Sequence, residues 1–283
     1  MFVKLTALLS QTNIIRDLDL EFSLVEEVFA FDIEDMEDDT FDESRKFCLC
    51  IEKPRLTLAS VVSGMLRNED CQKDPRIRSY YNAKALAVLR AVAKALLHLH
   101  TIGVVHGNLS PSNVGKYDTI WKIAGMSGVQ KIGEVFESHQ FHSTVPPEAL
   151  YLEAAFGPSS QQVKFRTDLH LSSPIDVWGF GQLAYEVLVG QPLVRLDEIE
   201  RDTDKQMAMA DIAQWNDFNV EVVRQDLDVV GVAEAAAELI CDCLHPEPSK
   251  RPTANGILAH KIWHQLRRRS EEPNQRGPDE QEI

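Results

Sequence analysis

Hydrophobic positions fall into two regimes along the chain. Up to about residue 55 they come in short runs. FVKLTALL, residues 2–9, reads as the end of an amphipathic helix, SQTN after it is turn-like, and LEFSLVEEVFAFDI and RKFCLCIE are β-rich. Between the last two lies DIEDMEDDTFDES, an acidic block with almost nothing apolar to bury, which suits a solvated hairpin loop or a docking site for a basic partner. After Pro54 the period lengthens. YYNAKALAVLRAVAKALLHLH repeats its apolar residues at three and four, and SSPIDVWGFGQLAYEVLVG opens on a Ser-Ser-Pro entry and stops at Gly190. VAEAAAELICDCL and TANGILAHKIWHQL predict two more helices, the second with Thr253 as N-cap. VGKYDTIWKIAG is a short β-rich interruption, and RRRSEEPNQRGPDEQEI, polar and aperiodic, predicts a mobile tail. No internal repeat is visible. The order, a few strands and then mostly helices, predicts an α+β fold in two parts, residues 1–55 and 56–265, with 266–283 as the tail.

Composition narrows the function classes. The chain has 283 residues, 44% hydrophobic and 26% charged, which is ample for a buried core. Forty-four acidic against twenty-nine basic residues give a net charge of −15, which argues against nucleic acid and against an anionic membrane surface as partners. The most apolar window, AKALAVLRAVAKALLHLH, is interrupted by Lys84, Arg90, Lys94 and His98, so no membrane span is predicted. The first apolar run is too short for a secretory signal. Cys48, Cys50, Cys71, Cys241 and Cys243 form no C-x-x-C pair, and the C-x-C of Cys48 and Cys50 lacks the usual zinc spacing. Reduced thiols in a cytoplasmic or nuclear protein are the expectation.

The motifs then carry a family. LLHLHTIGVVHGNLSPSNV resembles the end of the long helix and the catalytic loop of eukaryotic protein kinases, whose signature is H-R-D-L-x-x-x-N. WKIAGMSG stands where the D-F-G segment belongs, VPPEA for A-P-E, PIDVWGFGQLAYEVLVGQPL for the D-V-W-S-F-G helix, and CLHPEPSKRPT for the late arginine motif. LAHKIW matches the family's closing His and aromatic, and the likeness runs from about residue 2 to 265. FCLCIEKPRLTLASVV resembles the strand, hinge and first C-lobe helix, with Ile51 near the gatekeeper position and Glu52 entering the linker beside the adenine groove. The resemblance implies a protein kinase-like fold with a reduced N-lobe sheet and hinge in 1–55 and a mainly helical C-lobe in 56–265.

Against that pattern the parts of phosphoryl transfer are depleted. The glycine-rich loop and the strand lysine have no counterpart in this chain. VKLTALLSQTNII resembles the end of the N-lobe helix, which puts Phe2 near the place of the helix glutamate and leaves Lys4 past it. In the catalytic loop Asn108 stands for the general base, Gly107 for the arginine and Ser110 for a lysine. A positioned base is worth about 10² to 10⁴ in rate, and an amide cannot accept a proton at neutral pH. Three residues past Lys122, Gly125, Met126 and Ser127 replace D-F-G, which removes the magnesium carboxylate. Asn113 remains as the candidate metal ligand, and Glu52 and Asn113 as candidate nucleotide contacts. The expectation is a domain with no intact catalytic set and no bound cofactor, ATP and magnesium being the ones implied if any binds.

What persists resembles scaffolding. Glu148 is similar to the family glutamate that pairs with the late arginine, Arg251, and Asp176 to the aspartate that holds the catalytic-loop backbone from below. His106 and Trp178 fit packed positions, and Met126 fits the neighbouring aromatic slot as a flexible plug.

Departures from the pattern bear on partners. ALYLEAAFGPSSQQVKFRTDLHLSSPI, between Glu148 and Asp176, is longer than the family needs and suits a tolerated surface loop or a remodelled partner surface. His139 and His142 suit exposed loop residues or a metal pair, and Ser270 follows three arginines as a basophilic kinase target would. Two functions follow. One is a catalytically inactive kinase-like scaffold or allosteric module that binds a protein, an active kinase being one candidate. The other is a divergent or amino-terminally incomplete serine/threonine kinase that binds ATP and transfers phosphate.

Overall fold

The computed structural model describes residues 28–32, 47–51, 53–125, 128–136, 144–154, 161–194 and 201–264. The early β-rich runs become β1 (Val28–Asp32) and β2 (Phe47–Ile51), an antiparallel pair in which Val28 faces Ile51. β3 (Leu56–Thr57) leads into α1 (Leu58–Arg67), capped by the Thr57 hydroxyl, which accepts the Ser60 N–H. A short α2 (Glu69–Lys73) follows.

α3 (Pro75–Thr101) is the longest element because every local signal agrees. Asp74 caps it by accepting the Arg76 N–H at 2.8 Å, and Pro75 occupies the first turn, where its missing N–H costs nothing. Ala85, Leu89, Val92, Leu96 and Leu99 recur at three and four and are all buried. Beyond it, β4 (Val104–Val105) pairs with β7 (Gln130–Lys131), and β5 (Val114–Tyr117) lies between β3 and β6 (Ile120–Ile123). The β-rich interruption at 114–125 is this β5–β6 hairpin, Val114 opposite Ile123.

α4 (Pro174–Val189) is buried on nearly every side, from Ile175 to Leu188, which marks it as a central helix rather than a surface one. It packs on α3 and on α7 (Glu234–Cys243). It ends at Gly190, whose φ of 96° lies in the left-handed region and whose absent Cβ leaves room for Leu66. Trp178 of α4 meets Trp215 edge-on at 5.2 Å. α5 (Asp202–Ala213) and α6 (Asp217–Val229) follow α4, and the sequence patterns did not predict them. α8 (Ala254–Ala259) is capped by Thr253 through the Gly256 N–H at 3.1 Å. It is shorter than the apolar pattern suggested, because the backbone turns extended at His260 before a last turn carries Trp263 into the core.

The long insertion is no plain surface loop. It folds as an antiparallel hairpin, β8 (Leu150–Ala154) and β9 (Gln161–Phe165), with Leu152 opposite Val163. Leu150 and Val163 on one face join a second apolar cluster with Met209 and Ile212 of α5, while Glu153 and Lys164 pair on the solvent side. The Val163 N–H donates to Gln206 Oε1 of α5 at 3.0 Å, so the hairpin is bonded to the helix as well as packed on it. Two-stranded ribbons are marginal alone, and α5 supplies the missing support. Among the described residues no helix is long and apolar enough to cross a membrane.

Candidate functional site

The loop of residues 106–113 runs from β4 into a 3₁₀ turn, Pro111–Asn113, that opens β5. Its entry is held from below. Asp176, at the first turn of α4 and 2% exposed, accepts the Gly107 N–H on Oδ1 and the His106 N–H on Oδ2, each at 2.8 Å. His100, near the end of α3, places Nε2 2.9 Å from Asp176 Oδ2. One carboxylate therefore joins two helices to the loop, and both of its oxygens are engaged in structure.

His106 is fully buried. Its Nε2 donates to the Ala124 carbonyl at 2.9 Å and its Nδ1 accepts the Asn108 N–H at 3.2 Å, which fixes the neutral tautomer with the proton on Nε2. Burial pushes its pKa below the usual histidine value, with the Asp176 charge and the Ala124 bond opposing. A neutral imidazole with both nitrogens committed to backbone is a strut between loop and strand.

Asn113 closes the other side. Its Nδ2 donates to the Asn108 carbonyl at 2.8 Å, and its own carbonyl accepts the Ala124 N–H at 2.8 Å. Gly125 lies directly opposite, with φ of 71°, and a Cβ built there would overlap the Asn113 carboxamide. The side chain of Asn113 thus fills the space into which a residue-125 carboxylate would project. Asn108 is buried, and neither it nor Gly125 offers an acid. A magnesium ion held by an asparagine and an aspartate does not fit this donor set: position 125 carries no carboxylate, which leaves Asn113 Oδ1 without the acid that would share the ion. Among the described residues no three His, Cys, Asp or Glu side chains gather as a metal site.

Below the loop, Arg251 and Glu148 form a bidentate pair, Nη1 to Oε1 at 2.8 Å and Nη2 to Oε2 at 2.7 Å. The Arg251 side chain is wholly buried and that of Glu148 is 16% exposed. The guanidinium also donates to the His245, Pro174 and Pro246 carbonyls and lies 5.1 Å from the Trp178 ring centre. Every donor of the fork is used, which is what a buried arginine requires.

The structure thus brings together His106, Asn108, Asn113 and Asp176 at one loop and Glu148 with Arg251 beneath it. Glu52, Met126, His139, His142 and Ser270 lie outside the described residues. Sequence reasoning missed His100 as the second partner of Asp176 and Gln206 as the hairpin's anchor; the first stands six residues before His106 at the helix end, while nothing local marks the second.

Residues 33–263 match the family model of the protein kinase domain. The chain belongs to the protein kinase domain family. Among similar proteins are the calcium/calmodulin-dependent protein kinase cmkB of Emericella nidulans, 25% identical over 206 residues covering 70% of this chain and 44% of that protein. The calcium/calmodulin-dependent protein kinase type I of Schizosaccharomyces pombe is 26% identical over 205 residues, covering 72% of this chain and 54% of the relative. The kinase domain therefore spans about half the length of these curated relatives. Among solved structures, the ROP18 kinase domain in complex with AMP-PNP and sucrose superposes with a TM-score of 0.54 at 15% identity, covering 78% of this chain and 51% of that one, a likeness of fold. The kinase-like fold, with its mainly helical C-lobe, accounts for the placement of Asp176, Glu148 and Arg251 around the loop.

Proposed function

We propose that this kinase domain is catalytically inactive and acts by binding a protein, as a scaffold or allosteric module. The observation that carries the proposal is the contact between Gly125 and Asn113: the position of the magnesium carboxylate has no side chain, and an amide fills the space. Asn108 adds that the position of the general base holds an amide, which cannot take a hydroxyl proton at neutral pH. Meanwhile the parts that hold the lobe together, Asp176 under the loop and the Glu148–Arg251 pair, are complete. The partner class is a protein, an active kinase among the candidates, and the site is not expected to take ATP with magnesium.

The second reading, a divergent serine/threonine kinase that transfers phosphate from ATP, draws on the family match and on relatives that are named as protein kinases. A melt of the purified chain with and without magnesium and ATP, followed by phosphotransfer to a generic basic protein, separates the two. No nucleotide shift and no transfer support the inactive domain. A magnesium-dependent rise of several degrees, reporting binding to the native state, together with transfer would replace it by the second reading.

A further inference from the structure

α6 carries an apolar stripe on the face turned away from the core. Phe218, Val222 and Val229 are 74%, 40% and 84% exposed, although all three sit on a helix whose other face buries Val223 and Leu227. With Gln225 they follow a spacing of four, three and four residues, the seam positions of a coiled coil read as d, a, d and a. Buried residues on one side and three exposed apolar residues on the other make this a helix that is packed on one face and, among the described residues, uncovered on the second.

The residues beside the seam say what would cover it. Glu221 and Asp228 occupy one flank, and Asn219 and Asp226 the other. Asp226 accepts the Tyr185 hydroxyl at 2.8 Å, which ties that flank to α4. Arg224, the basic residue of the helix, is turned aside, bonded to Glu234 at 2.8 Å and 3.8 Å from Glu221. A second copy of the same seam would set acids against acids, on a chain already at −15. We propose that this face docks an amphipathic helix of a partner protein that carries Lys or Arg on both sides of its own apolar stripe. The basic side chains meet Glu221 and Asp228, and Gln225, a polar residue within an apolar seam, sets the register.

The proposal deepens the protein-binding function above and rests on it, but its site is separate: α6 meets α4 at Tyr185, well along the helix from Asp176. A failed docking test therefore leaves the nucleotide test untouched. The probe is a fluorescently labelled designed helix of about three heptads with Leu and Val in its seam and Lys on its flanks. A twin has Glu on the flanks, and both are titrated onto the full chain by anisotropy. The Lys peptide should bind at least ~10-fold more tightly than the twin and weaken with salt. Phe218→Ser with Val229→Ser should reduce its affinity ~10-fold or more without lowering the melting temperature, since both residues are exposed. Glu221→Lys with Asp228→Lys should invert the preference toward the Glu twin. Equal binding of both peptides, or of neither, overturns the proposal. So does sedimentation showing a dimer of the chain that the two serine substitutions dissolve, because the face would then belong to a second copy.

Discussion

The Asn113 side chain donates to the backbone carbonyl of Asn108 at 2.8 Å while its carboxamide occupies the space beside Gly125. The two positions are coupled by contact. Gly125→Ala puts a Cβ on a left-handed backbone and into the amide, so it should destabilise the domain by about 1–3 kcal/mol. Asn113→Ala alone loses the bond to Asn108, worth about 1 kcal/mol. The double variant should be less destabilised than the sum of the two, since removing the amide makes room for the new methyl. Urea melts of the four proteins check this; strict additivity would mean that the two residues do not contend for one space.

Arg251 is the more costly residue to touch. Its guanidinium is buried, and truncation to alanine strands the Glu148 carboxylate and three carbonyls at once. Arg251→Ala should cost about 3–5 kcal/mol, enough to unfold a marginal domain. Glu148→Gln keeps the shape and one acceptor and should cost clearly less. Denaturant midpoints of the two variants, compared at pH 7, give the order directly.

How much of this could be read from the chain depends on how local each signal is. α3 was legible from its period between Tyr80 and His100, though not its start at Asp74 and Pro75, and α4 because a Ser-Ser-Pro entry and the Gly190 stop bracket one apolar window. The site was legible because motif order places His106, Asn113, Asp176, Glu148 and Arg251, each fixed by spacing to its neighbours. α5 was not, since its apolar residues, such as Met209 and Ile212, bury against a hairpin distant in sequence rather than in a regular stripe. The hairpin itself was read only as an insertion, because its register is set by α5 through Gln206 and by packing on Phe136, whose ring stacks on Phe165 at 6.0 Å. The overlap of Asn113 with residue 125 needs φ of Gly125, which no spacing reports.

The anchoring of that hairpin can be tested by itself. Gln206 Oε1 satisfies the outward N–H of Val163, and Gln206→Ala leaves that donor without its partner in a part-buried place. The expected loss is about 1 kcal/mol in global stability. The local effect should be larger in proportion: hydrogen exchange at Val163 should quicken in the variant while amides in α3 and α4 keep their protection relative to the global value. Exchange at Val163 unchanged by the substitution would show that packing against Met209 and Ile212 holds the hairpin without the bond.

Buried histidine makes the stability of the domain depend on pH in a defined window. His106 has its pKa lowered by burial, and that of His260 is also lowered, chiefly by desolvation. In the unfolded chain these imidazoles titrate near ~6.5. Above that value both states are neutral and stability is flat; as pH falls below it, the unfolded state takes up protons that the native state refuses, and stability drops. His106 alone contributes a slope of at most about 1.4 kcal/mol per pH unit, until the native His106 protonates in turn. Protonation at Nδ1 would replace an acceptor of the Asn108 N–H by a second donor, so the native state has reason to resist it. Melting temperatures measured from pH 8 to pH 5 should be level at first and then decline below about 6.5. His106→Asn, which cannot titrate, should start lower for the lost packing and decline less steeply; a parallel decline in both proteins would assign the acid sensitivity to other groups.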